Sequence, residues 1–340
     1  MLLTLRRLLI MDNILYIGPF KEHLQNHVKL KQAIGYKYNT EAEHLQRFDK
    51  FVLYHYPNTT ILTKEIVLNW CKKKSYEAQA NQCSRVSIIR QFAKYLDLID
   101  VEAYIVPKGY YPTERQYIPY IYTADELSKF FAETDKCQYS YECPHRHQIM
   151  PVIFRMIYMC GLRASEARLL KVTNVDLENG VLTINHSKKD NSRLVPMSDT
   201  LIERCRNYSK VVHPYYVEED YYFPALNSKP MTIGNLYKNF RRFLWQAKIS
   251  HGGRGHGPRI YDFRHTYAVH CLKKWVEQDK DLTIFFPVLK TYMGHDSFEE
   301  TAYYLRMTAD VFPNITLKIE RKYLDIIPQL EEGGNYNETN

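Results

Sequence analysis

A chain of 340 residues, 45% hydrophobic and 25% charged, has the composition of a folded protein and the length for two domains with separate cores. Its seven scattered cysteines form no disulfide framework, and no apolar run approaches the roughly 20 residues that span a membrane, which argues against secreted and transmembrane classes. The net charge of +8 favours an acidic partner, and most of it lies in the first hundred residues, which carry 15 Lys and Arg but nine Asp and Glu. We therefore expect a reducing compartment, no membrane, and a polyanion-binding module ahead of a nearly neutral one.

Residues 1–19 form a short apolar lead-in without a signal-peptide cleavage pattern. From residue 20 to about residue 98, apolar residues recur at spacings of three and four, which predicts four or five short helices packed as a bundle. Thr40 and Thr63, each followed by acidic residues, are predicted helix starts. For each basic side chain of this bundle, a solvated helix face is the alternative to a DNA contact. The residues predicted to bind DNA phosphates are Lys72, Lys73, Lys74, Arg85 and Arg90.

Prolines, tyrosines and a glycine without any period predict an extended linker over residues 104–120. This linker would separate a helical domain over residues 20–103 from a second domain over residues 121–312, and a hinge in it would let both close around a ligand. Thr123, followed by acidic residues, is a predicted N-cap. The next segment carries four potential zinc ligands: Cys137, Cys143, His145 and His147. Their spacing differs from that of paired zinc knuckles, so we expect a loop and no metal.

Two stretches of the second domain place basic side chains beside apolar runs. Arg163 follows an apolar helix and a glycine turn, so it needs an anionic partner; Glu166 on the next turn can orient it, and a plain salt bridge between the two is the alternative. Strands with hairpin turns are predicted between Val175 and Met197. The second hairpin turn places Lys188 at its tip, where the side chain either reaches into a site or is solvated.

The last third of the domain supplies a nucleophile and its surroundings. Helices are predicted over residues 201–208 and 233–247, and a further helix carries Arg264 and His265 in its first turn. The stretch KTYMGHDSFEETAYYLR then places His295 nine positions before Tyr304. A tyrosine acts as a nucleophile when a base takes its proton and fixed positive charge stabilises the target, and arginines supply the charge that a phosphate needs.

Taken together, these segments resemble the tyrosine recombinase, or phage integrase-type, family. CGLRASEARLL is similar to the family's first arginine motif, TINHSKKDNSRLVPMS to its β-hairpin lysine motif, YDFRHTYAVH to its His-x-x-Arg-His box, and MGHDSFEETAYYL to its Gly-His…Tyr box. The resemblance covers residues 118–304 in the family's order. It implies a mainly α fold with a small β-sheet or hairpin (α+β), in which a helical SAM-like core-binding domain precedes a tyrosine-recombinase catalytic domain.

The resemblance also implies roles for the matching residues. Arg163 and Arg264 would clamp the scissile phosphate, while Glu166 and His265 would support the site's geometry. Tyr261 occupies the position of the first histidine in the His-x-x-Arg-His box. A phenol donates a hydrogen bond but is a poor base near neutral pH, so we expect Tyr261 to assist at the catalytic site.

The remaining implied roles concern bond making and breaking. Tyr304 would attack phosphorus to give a 3′-phosphotyrosyl bond, with Tyr303 as the adjacent competitor. His295 would hydrogen-bond the phosphate. Lys188 would protonate the leaving 5′-oxygen, and its neighbour Lys189 is the rival for that acid role.

The implied function is a site-specific DNA recombinase of the integrase or transposase type, from a mobile element in the bacterial cytoplasm, that needs no ATP, metal or other cofactor. Expected partners are double-stranded DNA at specific recombination sites, further copies of the chain in a tetramer, and accessory or partner recombinases; the two domains would form a C-shaped clamp. Residues 313–330 are predicted to form a helix that packs on its own domain or docks on a neighbouring protomer, and residues 331–340 to be disordered. The alternatives are a type IB topoisomerase-like or hairpin-forming enzyme with the same site, and a catalytically decayed DNA-binding protein.

Overall fold

The computed structural model describes residues 14–111, 118–141, 143–185, 192–215, 217–253, 257–295 and 297–311. The predicted hairpin tip with Lys188 and Lys189, the C-terminal helix and the tail lie outside these residues. The chain divides into two compact units between residues 117 and 118. Helices predominate, and the sheet among the described residues has three strands, so the predicted mainly α fold with a small sheet is confirmed. No helix in the described part of the chain has the length and apolar character needed to cross a membrane.

The first unit is a helical bundle. Thr63 accepts a hydrogen bond from the Ile66 amide at 3.3 Å, and it is the N-cap that the sequence predicts. The start predicted at Thr40 is wrong, because the left-handed backbone of Tyr38, with a φ of 49°, turns the chain into a helix that already begins at Asn39. The helices of this unit are α1 (Lys21–Ala33), α2 (Asn39–His55), α3 (Lys64–Cys71) and α4 (Gln79–Leu98).

The predicted linker is packed at both of its ends. Ala103, just before it, pairs with Leu62 in a parallel bridge, and Val106 is buried in the core of the first unit. At the other end, Tyr122 is buried in the second unit, where its ring stacks on that of Phe263 at 4.7 Å between centroids. Both flanks of the proline-rich segment therefore contribute to a core.

The second unit is built around a buried central helix, α6, that packs against α5, α8 and α10. Thr123 and Glu126 form a capping box at the start of α5, as the acidic first turn predicts. The helices of this unit are α5 (Ala124–Asp135), α6 (Arg146–Met159), α7 (Ala164–Arg168), α8 (Asp199–Val212), α9 (Ile233–Gln246), α10 (Asp262–Glu277), α11 (Leu282–Met293) and α12 (Phe298–Val311).

An antiparallel sheet lies between α7 and α8, with its strands in the order β1-β2-β3. Asp176 accepts hydrogen bonds from the amides of Glu178 and Asn179, which fixes the first predicted hairpin turn. In the second pair, Ile184 lies opposite Arg193, at the end of the strands next to the segment that carries the predicted lysine. The strands are β1 (Val175–Asp176), β2 (Val181–Ile184) and β3 (Arg193–Pro196).

Candidate active site

A glycine turn brings the first arginine into position. Gly161 follows α6 with a φ of +58°, and a Cβ there would lie 2.7 Å from the Tyr267 ring, so both the backbone and the space require glycine. Arg163 then caps α7 with an extended backbone, and its amide donates to Glu166 Oε2 at 2.8 Å. The glycine turn and the capping contact thus hold Arg163 at the N-terminal end of a short helix.

Glu166 is the shared acceptor of two arginines. Arg163 Nη1 donates to Oε1 at 2.8 Å, and Arg193 donates to both carboxylate oxygens, at 2.9 and 2.8 Å. Burial alone would raise the pKa of the Glu166 carboxyl, but the hydrogen bonds and charge of Arg193 outweigh it and leave the pKa below its usual range. The buried carboxylate therefore stays ionised and fixes both guanidinium groups.

Arg193 is a site residue that the sequence reasoning missed. Besides Glu166, it binds the Tyr292 carbonyl through Nε at 2.9 Å, and so joins β3 to the end of α11. Its partners lie 27 and 99 residues away in the chain, which no local motif reveals. One signal was available: Arg193 shares a strand face with the buried Val195, whereas Leu194 between them is exposed.

Arg264 is buried without a carboxylate. Its Nη1 donates to the Gly161 carbonyl at 2.6 Å, and its Nη2 donates to the Met293 carbonyl. Its Nε is enclosed and has no hydrogen-bond partner among the described residues. Burial, and then the charge of Arg163, hold the pKa of Arg264 below its usual range, although Tyr304, Tyr261 and Glu166 act in the opposite direction. A buried guanidinium that forms no ion pair can bind an anion.

A second glycine turn carries His295. Gly294 ends α11 with a φ of +63°, its carbonyl accepts a bond from Arg163 Nη2 at 3.2 Å, and a Cβ there would lie 2.9 Å from Arg193 Nη1. The His295 ring is buried, and its Nδ1 lies 2.9 Å from Thr301 Oγ1. Burial, followed by the nearby arginines, lowers the pKa of His295 to about 3, so the imidazole is neutral near pH 7.

The two adjacent tyrosines have different environments. Tyr304 is 2% exposed, and Tyr303 is 39% exposed. The His295 and Tyr304 rings stack at 5.6 Å between centroids with an interplanar angle of 12°. Burial raises the pKa of the Tyr304 phenol, and the charge of Arg264 only partly offsets this. The phenol that faces the arginines is therefore protonated before reaction.

Tyr261 and His265 complete the cluster. Tyr261 acts to raise the pKa of Arg163, and its ring packs on His265 at 4.8 Å between centroids. The His265 ring lies 5.5 Å from that of Tyr304, and burial, then the charge of Arg264, lower the pKa of His265 to about 4. The structure therefore gathers every predicted catalytic and supporting residue that it describes into one site of the second unit.

The predicted DNA contacts of the first unit divide into two groups. Lys72, Lys73 and Lys74 are exposed. The predicted DNA contact of Arg85 is wrong, because its side chain is buried, pairs with Glu77 at 2.6 Å, and is not available to a phosphate. Arg90 is largely occupied as well, since its guanidinium donates to the carbonyls of Val106 and Pro107, at 2.7 and 3.1 Å.

The possible zinc ligands do not come together as a site. Cys137 is buried, and its thiol faces the carbonyls of Gln138 and Arg146. Within the described ranges, no three His, Cys, Asp or Glu side chains are grouped as a metal ion requires. All seven cysteines are free thiols.

The region that contains this site matches a known protein family. The model of the phage integrase family matches residues 121–310, which include every residue of the cluster. The chain therefore belongs to the phage integrase family. It is a tyrosine recombinase, a DNA strand transferase.

Individual relatives extend over most of the chain. A putative integrase/recombinase y4rB of Sinorhizobium fredii is 27% identical over 315 residues, which cover 91% of this chain and 99% of the relative. A tyrosine recombinase of Pseudothermotoga lettingae is 24% identical over 72% of this chain and 76% of its own length.

Among solved structures, the recombinase XerH in a post-cleavage complex with a difH substrate superposes with a TM-score of 0.61 at 19% identity, over 82% of this chain and 78% of that one. The Tn1549 transposon integrase in complex with a circular intermediate DNA superposes with a TM-score of 0.59 at 15% identity, over 83% and 94%. Both likenesses show a shared fold.

Proposed function

We propose that this tyrosine recombinase is a site-specific DNA recombinase of the integrase or transposase type, in which Tyr304 forms a 3′-phosphotyrosyl intermediate. One observation carries the proposal. Tyr304 lies against His295 and His265, and the charge of Arg264, a buried cation that forms no ion pair with a carboxylate in the described part of the chain, acts to lower the pKa of the Tyr304 phenol against the larger effect of burial. Nucleophile and anion-binding charge thus occupy the same small volume.

The arginines provide the electrostatic part of the reaction. Arg163 and Arg264 would bind the non-bridging oxygens of the scissile phosphate, and their planar donor arrays suit such oxygens. Glu166 fixes the orientation of Arg163, and Arg193 fixes Glu166. Preorganised positive charge of this kind stabilises the charge that develops in the transition state without any rearrangement at the moment of reaction.

Bond formation and bond breaking would follow in one step. Tyr304 Oη attacks phosphorus, the bond from phosphorus to the 5′-oxygen breaks, and a general acid protonates that oxygen. Lys188 is the proposed acid, with Lys189 as its rival. The phosphotyrosyl bond conserves the energy of the phosphodiester, so rejoining would need no ATP, and the arginines would take the place of a metal ion.

The proposed substrate is double-stranded DNA at specific recombination sites, bound by several copies of the chain with or without accessory recombinases. Two similarities support this proposal: XerH is described with a difH substrate, and the Tn1549 integrase with transposon-derived DNA. The three exposed lysines of the first unit, Lys72 to Lys74, would contribute phosphate contacts. The excess of basic residues in the first hundred positions agrees with that assignment.

Covalent trapping on nicked DNA tests the proposal. We would incubate the purified chain with a pool of nicked duplexes whose binding segment is randomised, isolate complexes that resist denaturation, and sequence the trapped DNA. Wild type and Tyr303→Phe should form the adduct, and Tyr304→Phe should not. Absence of any adduct with wild type, or an adduct that survives Tyr304→Phe, would contradict the proposal.

The same preparation separates the two alternatives retained from the sequence. Relaxation of a supercoiled plasmid that lacks the selected site would favour a topoisomerase-like enzyme. Sequence-selective binding without any adduct would favour a decayed DNA-binding protein.

A further inference from the structure

The buried phenol of Tyr304 must lose a proton before or while it attacks, and burial makes that loss harder. The titratable side chains around it are two histidines, two tyrosines besides the nucleophile, and arginines. Arginine stays protonated, and a neutral tyrosine is a poor proton acceptor near pH 7. The proton acceptor supplied by the protein is therefore one of the two histidines, His265 or His295.

The orientation of His295 is unsuitable for this task. Its ring lies nearly parallel to that of Tyr304, with an angle of 12° between the planes, and its Nδ1 is engaged by Thr301. The lone pair of a ring nitrogen lies in the plane of the imidazole, so it runs alongside the stacked phenol and does not point into it. This leaves the edge of His295 for the phosphate.

His265 presents a different geometry. Its ring lies 5.5 Å from that of Tyr304 between centroids and is tilted by 49°, so the two rings are not stacked in parallel. The ring of Tyr261 packs against it at 4.8 Å and an angle of 80°, which limits its rotation. Within the described residues, Nδ1 of His265 is enclosed and makes no hydrogen bond. This nitrogen is therefore not engaged by another group of the described chain.

From this geometry we infer that His265 is the proton acceptor of Tyr304 during strand cleavage. The inference rests on the proposed function of Tyr304 as the nucleophile. It assigns a catalytic role to a residue for which the sequence motif implies only support.

Two separate protons move during strand cleavage. The Tyr304 hydroxyl proton passes to the neutral imidazole of His265 as Oη bonds to phosphorus. The bond between phosphorus and the 5′-oxygen breaks, and the general acid supplies a separate proton to that oxygen. On rejoining, a 5′-hydroxyl gives its proton to the deprotonated general acid as it attacks phosphorus. The bond from phosphorus to Tyr304 Oη breaks, and the protonated His265 returns its proton to the departing Tyr304.

The surrounding charges are consistent with this exchange. His265 is faced by Arg264 and Tyr261 from its own helix, by Tyr303 and Tyr304 from α12, and by His295 from the preceding loop. Burial and Arg264 lower the pKa of His265 to about 4, which keeps the imidazole unprotonated in the absence of DNA. A bound phosphodiester would offset the charge of Arg264 and so raise the basicity of His265 when it is needed.

The test is the pH dependence of single-turnover cleavage on the trapped DNA site. His265→Asn and His265→Gln replace the ring by amides of similar size that accept no proton. We expect cleavage at pH 7 to fall by about 10²- to 10⁴-fold in each variant. The variant rate should then rise roughly tenfold per pH unit, because solvent must deprotonate Tyr304, whereas the wild-type rate should be nearly flat above pH 6. Added imidazole should restore part of the rate of His265→Ala.

His270→Gln is the matched control, since His270 lies on the same helix but hydrogen-bonds Tyr158 at 2.9 Å outside the site. It should cleave at nearly the wild-type rate. Measurements of DNA affinity and thermal unfolding show which of the two amide variants is folded. The rescue of His265→Ala by imidazole is a separate test that does not depend on either amide variant.

Two results would overturn the inference while leaving the proposed function intact. One is a wild-type rate in a folded amide variant. The other is a loss that is equal at every pH and insensitive to imidazole, which would indicate a purely structural role. Absence of an adduct in wild type would instead remove the proposed function itself.

Discussion

Two buried arginines, one in each unit, show two ways of holding a positive charge. Arg85 in the first unit is 4% exposed; it pairs with Glu77 at 2.6 Å and also donates to the Lys72 carbonyl at 3.0 Å. Arg264 in the second unit is fully buried and donates to the carbonyls of Gly161 and Met293, with Arg163 close enough to lower its pKa further. The charge of Arg85 is neutralised by a carboxylate inside the protein, whereas Arg264 forms no ion pair within the described part of the chain.

We expect the two arginines to differ in their contributions, Arg85 chiefly to stability and Arg264 chiefly to function. Removing one partner of a buried ion pair leaves the other charge without compensation, so the pair around Arg85 should matter chiefly for folding. Arg264 has no such partner in the described part of the chain, and burying it costs free energy that a bound phosphate would offset. We therefore expect different consequences when either arginine is replaced.

The largest effect is expected for Arg264→Gln. Loss of a preorganised donor from the transition state should reduce single-turnover cleavage by about 10³-fold, or about 4 kcal/mol. Since Arg264 forms no ion pair but donates to two carbonyls, the free energy of unfolding of the second unit should fall by at most about 2 kcal/mol. Rapid-quench measurement of the adduct, together with urea unfolding, checks both statements. Normal cleavage by Arg264→Gln would contradict a role of Arg264 in catalysis.

The next effect is on stability, for Arg85→Met. The unpaired Glu77 carboxylate should lower the free energy of unfolding of the first unit by about 3 kcal/mol. The rate of cleavage at saturating DNA should stay near that of wild type. Arg47→Met is the matched control, because the Arg47–Glu43 pair is long, at 3.7 Å, and exposed; it should cost at most about 0.5 kcal/mol. Equal losses in the two variants would show that the Arg85 pair is not special.

A smaller effect should appear in the pH dependence of stability through Glu166. Because the folded pKa of Glu166 is depressed, its stabilising contribution is present above the unfolded pKa of about 4.3 and is lost as pH falls through the folded value. At pH 7, Glu166→Gln should lower the free energy of unfolding by about 2 kcal/mol, as Arg163 and Arg193 lose a charged acceptor. Thermal unfolding of both proteins between pH 7 and pH 3 should show the difference shrinking. A difference that is constant over this range would refute the assignment.

The smallest effect concerns the exposed lysines of the first unit. Replacing Lys72, Lys73 and Lys74 by alanine should flatten the dependence of log affinity on log salt by about 0.9 for each phosphate contact removed. Lys129→Ala with Lys136→Ala is the control, since these side chains are paired with Asp125 and Glu133 on the second unit. A titration of DNA binding against salt measures both. An unchanged slope in the triple variant would exclude these lysines from the interface.

The sequence predicted the parts of this site that depend on local structure. Arg163 follows a glycine turn and caps a helix, and His295 follows a second glycine turn, so short motifs fixed their surroundings. The burial of Tyr304 relative to Tyr303 also follows from adjacent positions on a helix facing different directions.

Long-range contacts account for what the sequence did not predict. Arg193 acquires its role from Glu166 and Tyr292, and the burial of Arg85 depends on carbonyl groups of α3 and on Glu77, which precedes its own helix. A helical pattern marks both Arg85 and the exposed lysines as polar, and it contains no information on which of them meets a partner from another element. Tertiary packing decides that question.

The central claim is that Tyr304, and not its neighbour, carries the DNA strand. Trypsin cuts after Lys290 and Arg306, so both tyrosines fall on one peptide, residues 291–306. We would digest the trapped adduct with nuclease and trypsin and locate the remaining nucleotide by fragmentation of that peptide. The account predicts a phosphonucleotide on Tyr304, with Tyr303 unmodified. A nucleotide on Tyr303, or on a residue outside this peptide, would contradict it.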